Sequence, residues 1–125
     1  MSDLYQKVIK PWGTYETIKE SDNYKVKHIV VNPDGKLSLQ MHKFRSEHWV
    51  IVSGIATVTL DEEIITIKKD ETVYIPVQTK HSLENLESEP LELIEVQNGS
   101  YLGEDDIFRF EDKYGRQSVT QKPKK

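Results

Sequence analysis

Apolar and β-branched residues recur along this chain at period two, in short runs cut every eight to twelve positions by turn residues, and no segment carries a helical repeat. A chain patterned this way buries one face of strand after strand and folds as an all-β sandwich or barrel. The spacing predicts strands over 14–19, 24–31, 37–42, 47–52, 56–60, 64–67, 72–75, 81–86 and 91–97. The breaks have local causes. Asn32-Pro33-Asp34-Gly35 joins a fixed φ, a side-chain acceptor and a residue tolerant of positive φ, while Ser53-Gly54, Asp61-Glu62-Glu63 and Ser88-Glu89-Pro90 end other runs. Past Gly99 the pattern gives way to Glu104-Asp105-Asp106-Ile107, acidic residues suited to the first turn of a short C-terminal helix. Phe108 and Phe110 are expected to dock the segment that follows, and residues 117–125 read as a flexible basic tail carrying Lys122, Lys124 and Lys125.

A length of 125 residues suffices for one core, so residues 1–116 are assigned to a single domain. The net charge of -4 leaves no basic stripe for phosphate backbones, which argues against nucleic acid as a partner. No apolar run approaches the roughly 20 residues of a membrane span. The N-terminus, interrupted by Lys7 and Lys10, lacks the apolar centre of a signal peptide, so the cytoplasm is the expected compartment. Without cysteine the chain has no disulfide, thiolate metal site or thiol nucleophile.

Chemistry concentrates around histidine. Of four, His42, His48 and His81 lie at strand starts or ends beside carboxylates or amides, and His28 stands apart. On an extended strand Gln40 and His42 share a face; Glu47 follows after a turn-sized gap, and the bend over 76–80 delivers His81. Two imidazole nitrogens, one carboxylate and one amide oxygen converging inside a barrel make a divalent-metal site with positions left open for water or substrate. His48, adjacent to Glu47, should face outward. Glu95 shares parity with Leu93 and Gln97, and an inward carboxyl there can carry a proton once burial raises its pKa. Trp12 and Trp49 read as packing residues.

The runs 35–54 and 75–85 resemble the two cupin motifs. Glu47 and Gly54 are separated by six residues, Pro76 and His81 by four, and His81 and Asn85 by three; Gln40 replaces the first histidine of the pattern. A Gln, His, Glu, His set resembles the ligands of cupin phosphomannose isomerases. The likeness extends through Lys10-Pro11-Trp12-Gly13, Tyr24-Lys25-Val26-Lys27, Glu47-His48-Trp49, Tyr74-Ile75-Pro76, Tyr101-Leu102-Gly103-Glu104-Asp105-Asp106-Ile107 and Arg109-Phe110-Glu111-Asp112-Lys113-Tyr114-Gly115-Arg116. In these stretches the chain is similar to the C-terminal cupin domain of type II mannose-6-phosphate isomerases, which usually follows a mannose-1-phosphate guanylyltransferase. It departs from that pattern at Lys43, Phe44 and Gln78, where the family carries two histidines and a glycine.

The resemblance implies a cupin barrel, jelly-roll-like, and a metal-dependent isomerase interconverting mannose 6-phosphate and fructose 6-phosphate through a cis-enediol. It implies Gln40, His42, Glu47 and His81 as ligands of a divalent ion, zinc first and manganese, iron, nickel or cobalt next. Arg109 is then a catalytic and phosphate-binding candidate, Glu95 a candidate base, and Lys27 and Arg116 further contacts for the phosphate. A homodimer and a place in polysaccharide biosynthesis through GDP-mannose are expected from the same likeness, while guanylyl transfer is not. The alternative, motivated by Lys43 and Phe44, is a non-catalytic metal- or sugar-phosphate-binding cupin acting with a separate guanylyltransferase. A cupin dioxygenase ranks lower, because such sites typically offer a third histidine where Gln40 stands.

Overall fold

The computed structural model describes residues 4–111, and within them every regular element is a strand. In chain order these are β1 Val8–Lys10, β2 Gly13–Glu20, β3 Tyr24–Val31, β4 Leu39–Met41, β5 Arg45–Ser53, β6 Ile55–Leu60, β7 Glu63–Lys68, β8 Thr72–Ile75, β9 His81–Glu84, β10 Leu91–Gly99 and β11 Phe108–Glu111. They form two antiparallel sheets, one ordered β1-β2-β3-β10-β5-β8 and the other β11-β4-β9-β6-β7. The period-two runs account for this architecture, and β1, ahead of the first of them, adds an edge to the larger sheet. No helix of the described residues is long and apolar enough to cross a membrane.

The short helix expected at Glu104 does not form. Residues 104 and 105 make a turn, closed by the Asp106 amide donating to the Gly103 carbonyl at 3.2 Å, and the chain re-enters the smaller sheet as β11. Asp106 has other uses for its polar groups: its carboxylate accepts the backbone N–H groups of Lys43 and Phe44, each at 2.9 Å. β11 pairs with β4, placing Phe108 opposite Met41 and Arg109 opposite Gln40, which is the docking expected of this segment. Arg116 and the tail over 117–125 lie outside the described residues.

Two glycines combine a positive φ with a close backbone approach. At Gly13 (φ 154°) an added Cβ would stand 2.0 Å from the Val30 carbonyl oxygen, and at Gly54 (φ 91°) 2.9 Å from that of Pro90. Gln78, where the family pattern has glycine, takes φ 60° itself. That left-handed conformation costs a non-glycine residue roughly 1–2 kcal/mol. It is held by the Gln78 amide donating to the His42 carbonyl at 2.8 Å.

The inward rows of three neighbouring strands explain where the site lies. In β3 they run Lys25, Lys27, Ile29, Val31; in β5, Arg45, Glu47, Trp49, Ile51; in β10, Gln97, Glu95, Leu93, Leu91, all buried. The register sets Lys27 against Glu95, Glu47 against Gln97, Ile51 against Leu93, and Val31 against Leu91. Apart from Glu95, which also faces Trp49, polar residues therefore line up with polar, and apolar with apolar. One end of the sandwich is a hydrocarbon core closed by Ala56, Val58, Ile67 and Leu83 of the smaller sheet. Each of its large side chains contributes about 1.5–3 kcal/mol on burial. The other end holds charged groups that must find partners within the barrel.

Candidate metal and substrate site

Glu47 stands at the centre of the polar end, 2% exposed on β5. His42, just past β4, brings Nε2 to 3.3 Å from Glu47 Oε2, and His81, at the head of β9, brings Nε2 to 4.0 Å from Glu47 Oε1. The donor atoms of the three lie within 4.8 Å of one another. Gln40 pairs directly with His81 across β4 and β9. Its amide nitrogen donates to both oxygens of Ser38 at 3.2 Å, which leaves its carbonyl oxygen as the end available to a ligand.

Backbone carbonyls settle the tautomers. His42 Nδ1 is 2.7 Å from the Asp106 oxygen and His81 Nδ1 2.8 Å from the Thr79 oxygen; a carbonyl only accepts, so both Nδ1 atoms carry the proton and both Nε2 lone pairs turn toward Glu47. Burial lowers His42 to about 3, aided by the charge of Arg45 and the second imidazole, and burial lowers His81 to about 4. The imidazoles are neutral; Arg45 donates to His42 Nε2 and Glu47 Oε2, so an ion would take those two atoms over from its guanidinium, while the His81 lone pair faces Glu47 Oε1 at 4.0 Å. Two neutral nitrogens and a carboxylate, with the Gln40 amide oxygen lining the same cavity, fit a divalent ion.

The neighbours complete the cavity, of about 180 Å3, into which these donors open. Arg45, 6% exposed, donates from Nε to Glu47 Oε2 at 3.0 Å and from one terminal nitrogen to His42 Nε2 at 3.2 Å. Its other terminal nitrogen is buried without a hydrogen-bond partner. Trp49 does more than pack: its indole N–H donates to Glu47 Oε1 at 3.0 Å and reaches Glu95 Oε2 at 3.4 Å. Glu95 accepts from Gln97 Nε2 at 3.2 Å, and burial, then the neighbouring Glu47, push its carboxyl up to about 8. Trp12, Lys27, Glu95 and Arg109 all line the cavity with the metal candidates.

Gln40, His42, Glu47, His81, Glu95, Lys27 and Arg109 are thus brought to one place. His48 turns outward onto Tyr74, ring centroids 4.6 Å apart. Phe44 also lies outside the cavity, 47% exposed and edge-on to Tyr101, so it is no part of the barrel lining. His28, on the outer face of β3, contacts Glu92 at 2.6 Å and Glu16 at 3.8 Å. Sequence reading passed over Lys25, Arg45 and Glu104; the first two share parity with Lys27 and Glu47, a signal already present in the strand pattern.

Comparison with known proteins bears on the family and the fold. The family described as "Mannose-6-phosphate isomerase C-terminal" matches residues 1–112. "Alginate biosynthesis protein AlgA" of Pseudomonas putida is 53% identical over 112 residues, covering 90% of this chain and 23% of that protein. "Mannose-1-phosphate guanylyltransferase" of Escherichia coli is 50% identical over 113 residues, covering 90% and 24%. The chain spans about a quarter of the length of these curated relatives. Among solved structures, the cupin domain of Schizosaccharomyces pombe Cnp3 superposes with a TM-score of 0.68 at 16% identity, over 74% of this chain and 68% of that one. Sheet order, polar barrel end and sequence relationship converge: this cupin chain belongs to the mannose-6-phosphate isomerase C-terminal family.

Proposed function

We propose that the chain is a metal-dependent aldose-ketose isomerase that interconverts mannose 6-phosphate and fructose 6-phosphate. The observation that carries this reading is one cavity holding both a neutral-imidazole and carboxylate donor set and, beside it, a buried carboxyl, Glu95, with a pKa pushed up to about 8. A carboxyl in that range takes and returns a proton at neutral pH, as the two halves of an isomerisation require.

Gln40, His42, Glu47 and His81 would hold the ion, zinc first, with manganese, iron, nickel or cobalt as alternatives. A bound divalent ion supplies a Lewis acid for the C1 and C2 oxygens of the open-chain sugar. Glu95, once ionised, takes the proton from C2; the C2–H electron pair becomes the C1–C2 double bond, and the carbonyl oxygen at C1 is protonated to give the cis-enediol. Loss of the C2 hydroxyl proton and delivery to C1 of a proton from the Glu95 carboxyl, which exchanges with water while the enediol is held, then yields the ketose. Lys27 and Arg109 supply cationic groups for the phosphate, with Arg116 of the C-terminal segment as a further contact. The same reading takes a cytoplasmic homodimer as the working form.

A second reading is favoured by Arg45, whose guanidinium already satisfies Glu47 and His42. A site filled in this way can bind sugar phosphate beside a separate guanylyltransferase without turning it over. Incubation of the zinc-loaded chain with mannose 6-phosphate in deuterated water separates the two. Fructose 6-phosphate carrying deuterium at C1, with deuterium also entering C2 of the recovered mannose 6-phosphate, both lost in Glu95→Gln, establishes the isomerase; stoichiometric metal and ligand with neither exchange nor turnover leave the binding protein.

A further inference from the structure

Lys25 and Lys27 are the most deeply buried ammonium groups described, 7% and 4% exposed, side by side on the inward face of β3. Both turn to one carboxylate from the loop between β10 and β11. Glu104 Oε2 lies 2.6 Å from Lys27 Nζ and 3.6 Å from Lys25 Nζ. Lys25 also donates to the Leu102 carbonyl at 3.0 Å and meets Glu20 at 4.0 Å, while Lys27 sits over the Tyr15 ring, 4.2 Å from its centroid. Unlike the lysines, the Glu104 side chain is half-exposed, at 54%.

Glu104 and Tyr15 line both the cavity of the metal candidates and a second one, of about 230 Å3, walled by Lys25, Glu20 and Thr17. They stand between the two. The backbone around Glu104 is pinned through Asp106 to Lys43, Phe44 and His42, so the side chain can leave by rotamer change alone while the loop stays in place. Departure would join the cavities and leave two buried ammonium groups facing the opening. Glu104 is the one carboxylate within 4 Å of both cations, and Glu20 reaches only Lys25, at 4.0 Å. A phosphate monoester brings up to two charges and three acceptor oxygens, and desolvated ammonium groups attract it more strongly than solvated ones.

We infer that Lys25 and Lys27 form the anion subsite for a phosphate monoester, and that Glu104 is its internal competitor, occupying the subsite until phosphate displaces it. This rests on the isomerase reading only in naming sugar phosphate as the bearer; the competition itself is testable with inorganic phosphate alone.

Inorganic phosphate is titrated calorimetrically into the full chain, its Glu104→Gln variant and its Lys27→Met variant, and circular dichroism and zinc titration confirm the fold of each. Glu104→Gln should bind phosphate about tenfold more tightly than the parent, and Lys27→Met at least tenfold more weakly. Mannose 6-phosphate should show the same ranking, with mannose insensitive to both changes. A folded Glu104→Gln protein that binds phosphate no more tightly overturns the inference, as does unaltered binding in Lys27→Met. Should Glu104→Gln not fold, Glu104→Asp, whose carboxylate is drawn back by one methylene, should bind phosphate several-fold more tightly than the parent; no gain there overturns it equally. Absence of fructose 6-phosphate formation by the zinc-loaded chain would remove the isomerase reading and leave these phosphate results standing.

Discussion

His42 donates its Nδ1 proton to the carbonyl of Asp106, 2.7 Å away and 64 residues further along the chain. The same aspartate, through its side chain, accepts the amides of Lys43 and Phe44 and so fixes the backbone leaving His42. Asp106→Ala frees two amides and loosens the carbonyl that aims the imidazole. It should lower stability by roughly 1–3 kcal/mol, as expected when buried partners are left unpaired, and zinc affinity by about 10–100-fold. Urea unfolding and competitive chelator titration measure the two; unchanged zinc affinity would deny Asp106 its orienting role.

The metal-free protein should be most stable near pH 6.5. Because the fold holds His42 at about 3 and His81 at about 4, the unfolded chain takes up protons below 6.5 that the folded chain refuses, and stability falls with falling pH. Glu95 acts in the other sense. Raised to about 8 from 4.5, it keeps a proton that the unfolded chain releases, so stability falls as pH rises through that window. The two imidazoles outweigh the one carboxyl below 6.5, and Glu95 dominates above it. Glu95→Gln should remove the decline between pH 6.5 and 8 in chelator-treated protein, and a decline as steep as the parent's would assign it to another group.

Trp49→Phe keeps a ring in the core and deletes the N–H that holds Glu47. The expected cost is about 0.5–1.5 kcal/mol for the lost hydrogen bond, with zinc binding weakened by about tenfold as Glu47 gains freedom. Chelator treatment should erase the difference in zinc-dependent thermal shift between the two proteins. Equal zinc affinities would mean that Arg45 alone orients the carboxylate.

Phe44→His restores the residue type of the family pattern at an outward position. It should change zinc affinity and the rate of C2 exchange by less than about twofold, since nothing at that position reaches the cavity. A tenfold gain in exchange would place a proton relay on the outer rim.

What could be read from the sequence was local. Parity put Glu95 on one face with Leu93 and Gln97, and Gln40 with His42; Glu47 and His81, on other strands, were joined to that pair by the resemblance to the cupin motifs. The contacts that tune the site are remote: Lys27 with Glu104 is 77 residues apart, and Asp106 with His42 is 64. No spacing rule reaches that far. At Glu104-Asp105-Asp106 local preference even pointed the wrong way, because acidic residues suit a helix start equally well whether or not a distant His42 awaits a carbonyl. Trp49 illustrates a milder shortfall, since burial was legible and the direction of its N–H was not.

The donors do not come from one layer. Glu47 belongs to the six-stranded sheet, whereas Gln40 and His81 lie in the five-stranded one, with His42 immediately beyond β4. An ion held among them would be a bond between layers otherwise joined chiefly by side-chain packing, in a chain with no cysteine to cross-link them. Charging the site would then act as disulfide closure does in secreted sandwiches: sliding of one sheet over the other would have to break coordination, and resistance to mechanical shear would rise and fall with the supply of metal.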